Sequence, residues 1–247
     1  MDQDWDSVKD DVLFHKRESK KASAQQNWIL AHGQLDLAIS KLEHLLSPAL
    51  EATSVADSLE KDVAAQLADC YGIKGGVYRR AADAAHGRKE WALSQQLLEV
   101  SVACYDLGYL YEACKRFEIV NSYNLLNRLI SRLMLQPEAL ADEHAEVMGV
   151  PLRLALENAQ NVLKGQTSEP PRESDPWAWG DLAVCNALLM KTPEEAAWNE
   201  FFDHVPSKHA HETTAATLQM LFDRDEAGAL PKEVIMDAIQ RLRDEAI

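Results

Sequence analysis

The chain has 247 residues, with 25 Lys and Arg against 40 Asp and Glu and a formal net charge of −15. That balance opposes the clustered basic charge needed to release counterions from nucleic acid, and it disfavours an anionic membrane surface. Hydrophobic residues at 47% exclude wholesale disorder, and only 10 Gly and 9 Pro leave few turn-formers for a many-stranded protein, so an all-α fold is expected.

The opening Met1-Asp2-Gln3-Asp4 is acidic and has no basic n-region or apolar h-region. No stretch approaches the roughly 18 apolar residues of a membrane span, and a cytoplasmic protein is expected. Lys16, Arg17, Lys20 and Lys21 lie among polar residues and read as a solvated helix face. From Trp28 an apolar stripe runs through Ala31, Leu35, Ala38, Ile39, Leu42 and Leu46, which predicts a helix ending at Ser47-Pro48. Val55, Leu59, Val63, Leu67 and Cys70 start a second helix that continues through Gly72 to Ala85, with Gly87 expected as its left-handed cap. Trp91, Leu98, Val102 and Tyr105 mark a third, closed by Gly108. Tyr123, Leu126, Leu129, Ile130 and Leu133 mark a fourth, stopping at Gln136-Pro137. One or two more helices are expected between Pro137 and Leu163, broken at Gly149-Val150-Pro151.

Residues 164–174 form the one weakly hydrophobic, proline-bearing stretch and read as an exposed loop or linker between an N-terminal repeat region, 1–163, and C-terminal hairpins, 175–247, on the same stack. Asp175-Pro176 supplies an N-cap and a proline at the first helical position, and Thr192-Pro193-Glu194 repeats that signal. Two further helices are expected, about 212–222 and 231–246. Four cysteines, Cys70, Cys104, Cys114 and Cys185, show no CxxC spacing and are expected to be reduced.

Helices of this length joined by short turns suit stacked antiparallel helix pairs, a degenerate tetratricopeptide-like architecture. Tyr71, Gly75 and Tyr78 with Ala92, and Trp179 and Ala183 with Ala196 and Phe202, follow that repeat's alternation of aromatic and small residues. Three stretches go further: Tyr71 to Arg80, Ile119 to Leu129 and Asp175 to Ala183. In this order they resemble bacterial tetratricopeptide proteins related to the TRAF-binding helical region of apoptosis-signal-regulating MAP kinase kinase kinases. The resemblance spans roughly Leu67 to Phe202. It implies a helical-repeat scaffold for signalling or stress and defence responses, without catalysis of its own, and no cofactor is expected.

The residues allow several chemistries. Gly72, Gly75 and Gly76 lack the preceding strand of a phosphate loop, so they are expected to let two helices approach closely. Arg79 and Arg80 suit either an acidic neighbouring helix or a ligand carboxylate. Asn121, Asn124 and Arg128 share one helix face with Asn127 close by, in a position where asparagine is a poor helix former. Such a row serves either bonds between helices or the backbone of a docked peptide. A partner groove would then comprise Tyr78, Arg79, Arg80, Asn121, Tyr123, Asn124, Asn127 and Arg128, receiving a protein or peptide that is basic overall, with a homo-oligomer as a further possibility.

No nucleophile is accompanied by a recognisable base, and no enzyme activity is expected. His204, His209 and His211 fit no zinc spacing and read as surface histidines. Asp223 to Gly228 has the acids and glycine of an EF-hand loop, but Ala227 and Val234 stand where ligands are needed, and a plain helix-turn-helix explains the same residues. A metal- or small-molecule-responsive sensor built on these C-terminal helices is the alternative to the scaffold.

Overall fold

In the computed structural model the described residues are 5–46, 55–142, 146–147, 149–170, 172–190, 194–204 and 208–245. Helix α1, Trp5–Ala24, turns back into α2, Trp28–Leu46, and the pair closes on Val8, Val12, Ala38, Leu42 and Leu46. The hairpin turn is held by the Asn27 amide donating to the Ala22 carbonyl at 2.8 Å, with Gln26 left-handed at φ 57°. Helix α3, Ser58–Gly87, and α4, Trp91–Ala113, are joined by the same device: the Glu90 amide donates to the Ala85 carbonyl at 2.9 Å, and Lys89 sits at φ 63°. In both hairpins a tryptophan opens the second helix. Gly87 is therefore not the left-handed residue that the sequence suggested; its turn is closed two residues later by a lysine that those bonds hold in place.

The start of α3 is fixed by a capping box. The Asp57 carboxylate accepts from the Glu60 amide at 2.8 Å, while Glu60 accepts from the Asp57 amide at 3.0 Å. Such a cap contributes about 1 kcal/mol. Helix α4 does not stop at Gly108 but runs on to Ala113. Two buried serines of α4 reach across to α3: Ser94 Oγ donates to the Ala82 carbonyl at 2.7 Å, and Ser101 Oγ donates to the Gly75 carbonyl at 2.8 Å. Lys16 is a correction to the solvated basic face. It is buried at the α1–α3 contact, paired with Asp69 and donating to Gln66 at 3.0 Å, whereas Arg17, Lys20 and Lys21 are exposed.

The chain divides into two compact units, 1–128 and 129–247, with the division inside α5, Tyr123–Leu135. It does not fall at the 164–174 stretch expected as a linker. There α6, Leu152–Ser168, continues through Lys164, and Arg172 is buried, bonding the Asp175 carboxylate at 2.9 Å and Gln166 at 2.6 Å. A composition signal for a loop was overridden because this arginine is enclosed by local partners rather than solvated.

Between α5 and α6 lie a short 3-10 turn, Pro137–Leu140, and a two-stranded antiparallel ladder, β1 Glu146–Val147 with β2 Val150–Pro151. Helices α7 (Pro176–Leu189), α8 (Glu194–His204), α9 (Lys208–Arg224) and α10 (Lys232–Asp244) complete the second unit. Asp175 caps α7 as expected, accepting from the Trp177 amide at 3.0 Å. Thr192 and Pro193 lie outside the described residues. The architecture is all-α, with helices packed in successive antiparallel pairs. Among the described residues no helix is long and apolar enough to cross a membrane.

Candidate functional site

Helices α3, α4 and the first turn and a half of α5 meet around glycines. A Cβ on Gly72 would stand 2.5 Å from the Tyr123 ring, one on Gly75 2.9 Å from the Tyr105 ring, and one on Gly108 2.5 Å from the Asn124 amide. Real Cβ atoms do not tolerate such distances, so these glycines serve close helix approach, as expected for Gly72 and Gly75 but not for Gly108, which the sequence marked as a helix end.

Asn124 is fully buried, and its Nδ2 donates to the Ala68 carbonyl at 2.9 Å and to Glu112 Oε1 at 2.7 Å. Glu112, itself buried at the end of α4, also accepts from the backbone amides of Asn124 and Leu125, each at 3.2 Å. Its carboxylate thus caps α5, where unsatisfied amides and the helix dipole favour negative charge. Asn121 completes that start, its Oδ1 accepting from the Ser122 and Tyr123 amides at 2.8 and 3.1 Å. Asn127 Oδ1 accepts from Arg79 Nη1 at 2.6 Å, and its Nδ2 donates to the Tyr123 carbonyl at 2.7 Å. Arg128 is buried with its guanidinium 4.0 Å from the centre of the Tyr109 ring and 3.6 Å from Asp106. Of the two roles open to the asparagine row, Asn124 and Asn127 are engaged in bonds between helices.

Tyr78 lies apart from the rest, stacked on His32 of α2 with ring centres 3.7 Å apart. Burial pushes His32 down to about 4, with Lys74 adding to the shift and Asp36 opposing it. Of the eight candidate groove residues Arg80 is the exposed one, donating from Nε to Ser23 Oγ of α1 at 3.1 Å, beside the phenols of Tyr105 and Tyr123. Among the described residues Arg80 has no carboxylate partner. Desolvation lowers its pKa; Arg79 adds to the shift, and Tyr123 and Tyr105 oppose it. Burial raises the Tyr123 phenol well above its ordinary value.

Ser23, Tyr105 and Glu112 were not singled out in the sequence. For Tyr105 the usable signal was chemical: a tyrosine on an apolar stripe carries a hydroxyl that needs a partner.

The C-terminal candidates take other forms. His211 is buried against the Phe201 and Phe202 rings, 5.5 and 5.7 Å away, while His204 and His209 are exposed. Among the described residues no group of three His, Cys, Asp or Glu is placed to hold a metal. Asp225 is fully buried, its two oxygens accepting from the Ala229 and Leu230 amides at 2.8 and 2.9 Å, so this carboxylate closes the α9–α10 turn from inside. Burial pushes the Cys70 and Cys104 thiols up, to about 12 and about 11, the opposite of nucleophile activation. No family model, curated protein or solved structure matches the chain.

Proposed function

We propose that this protein is a cytoplasmic, non-catalytic helical-repeat scaffold that binds a protein partner in a signalling, stress or defence pathway. Binding uses the face of the first unit where α3 presents Arg80, backed by the buried Ser23 of α1 and the half-buried Tyr123 of α5. One observation carries this reading: Arg80 is an exposed residue whose guanidinium is bonded to a serine and lacks a carboxylate among the described residues, in a chain of net charge −15. An arginine left unneutralised amid abundant acids is available to a second molecule. The resemblance of Tyr71 to Arg80 and Ile119 to Leu129 to tetratricopeptide scaffolds supports the same assignment. A frame fixed by Glu112, Asn124 and Asn127 offers a preformed surface, so little ordering entropy is lost on docking. The acidic surface as a whole favours a partner that is basic overall.

The test is affinity capture from native lysate with the parent chain and Arg80→Glu in parallel, each checked for helicity by circular dichroism. Proteins held by the parent and lost from the folded variant support the scaffold and its surface. Equal capture by both places partner binding away from Arg80 and overturns the assignment.

A further inference from the structure

The geometry points to an oxyanion notch over Gly76, lined by Arg80, Tyr105 and Tyr123, which takes one carboxylate or phosphate group carried by the docked protein segment. It rests on the reading of this face as the recognition surface. The notch itself rests on a contrast between neighbouring glycines. The space beside Gly75 is filled by the Tyr105 ring at 2.9 Å, so packing demands glycine there. At Gly76 the three atoms nearest an added Cβ are Arg80 Nη1 at 3.4 Å, Tyr105 Oη at 3.4 Å and Tyr123 Oη at 3.5 Å, which are distances a methyl group tolerates. Glycine weakens a helix interior relative to alanine, yet these three contacts do not require it.

The groups around that point are unusual for an enclosed site. Tyr105 is fully buried, and among the described residues its hydroxyl has no hydrogen-bond partner. A buried hydroxyl without a partner is costly, and natural proteins rarely leave one so. Among the described residues Arg80 is held by Ser23, and Asp69, whose charge acts on Tyr123, is paired with Lys16. Two phenolic hydroxyls and Arg80 Nη1 therefore face one point, where among the described residues the buried Tyr105 hydroxyl finds no partner. A cation would be repelled by Arg79 and Arg80, and an apolar group would leave the donors unmet. An oxyanion accepts from all three, and charge-assisted bonds of this kind are the strong ones. With no side chain on Gly76, the anion can approach the three donors closely.

The experiment titrates inorganic phosphate, and separately acetate, into 15N-labelled full-length protein at constant ionic strength, with chloride as the reference salt. Saturable shifts are expected at the Gly76 amide and at Arg80 Nε–H with at least one of the two anions. Gly76→Ala is expected to melt slightly higher than the parent, because alanine favours the helix, while binding the anion at least tenfold more weakly. Tyr105→Phe is expected to lose affinity similarly. A preference for phosphate assigns a phosphorylated side chain, and a preference for acetate assigns an acidic one.

The notch is overturned if neither anion produces saturable shifts at these residues, or if Gly76→Ala binds as the parent does. It is also overturned if Gly76→Ala melts lower, since the glycine would then be a packing requirement. Anion binding at the notch together with partner capture indifferent to Arg80→Glu would sink the docking role and leave the notch, so the two failures are distinguishable.

Discussion

Replacing Glu112 by alanine removes the acceptor of three donors at once: Asn124 Nδ2 at 2.7 Å and the amides of Asn124 and Leu125 at 3.2 Å. A hydrogen bond to a charged group contributes about 1.5–3 kcal/mol, and a charge at a partly buried helix terminus contributes up to about 2 kcal/mol. The 2.7 Å bond carries the first amount. The two longer ones act through the helix start, and water admitted on truncation recovers part of their loss. The expected destabilisation is therefore roughly 3–4 kcal/mol, a fall in melting temperature on the order of 10 °C for a chain of this size. Glu112→Gln, which keeps one acceptor oxygen but turns an amide toward donors, should fall between alanine and parent. Glu99 on the same helix is exposed and accepts only from Gln95 at 3.3 Å, so Glu99→Ala should cost about 0.5 kcal/mol or less. Urea unfolding followed by circular dichroism measures the ordering, and amide exchange at Asn124 and Leu125 locates the loss. In the double variant Glu112→Ala/Asn124→Ala the two costs should sum to less than their separate values, because they share a bond. If Glu112→Ala lies within about 0.5 kcal/mol of Glu99→Ala, the carboxylate is not what holds the start of α5.

Two glycine substitutions should move stability in opposite directions. Gly72→Ala drives a Cβ to 2.5 Å from Tyr123 and should cost about 1–3 kcal/mol, whereas Gly33→Ala, with nothing within 4 Å on α2, should gain about 0.5–1 kcal/mol in the same denaturation assay. His32 gives a pH dependence whose sign follows from burial. With its pKa lowered from 6.5 to about 4, the unfolded chain takes the proton first. Its contribution to stability should be complete above pH 6.5, decline as pH falls toward 4 and level off below. His32→Phe should remove that part of the pH profile, and a carbon-detected titration of His32 with a midpoint near 6.5 would refute it.

The elements most legible in the sequence were those with a strong apolar stripe and a proline or an acidic cap at a boundary. Helix α5 ends at Leu135 before Pro137, and Asp175 caps α7, because these signals act within a few residues of the backbone they fix. Helix α3 was legible across Gly72–Gly76 for a related reason: the helical period resumes beyond the glycines. The site was harder. Periodicity put Asn124 and Arg128 on one face, but it could not tell whether that face looks inward, since the bond partners Ala68 and Glu112 are distant or on another helix. The arginine pair was visible as such, yet Arg79 turned to Asn127 and Arg80 to Ser23, a choice made by packing between helices. Arg172 and Lys16 misled in the same way. A charged residue in a polar stretch reads as solvated until tertiary structure supplies its partner.

The two serines of α4 set a limit on how the first unit can move. Ser94 and Ser101 are seven residues apart, and so are their acceptors Ala82 and Gly75 on the antiparallel α3. The spacing of two helical turns matches on both sides, so sliding α4 along α3 by one turn would break both bonds together and drive the Tyr105 ring off Gly75. Shear at this interface, a common way for packed helices to transmit a ligand's arrival, is therefore locked out. Any response that begins at Arg80 must pass through rotation of the α3–α4 hairpin as one body, carrying Ser23 of α1 with it.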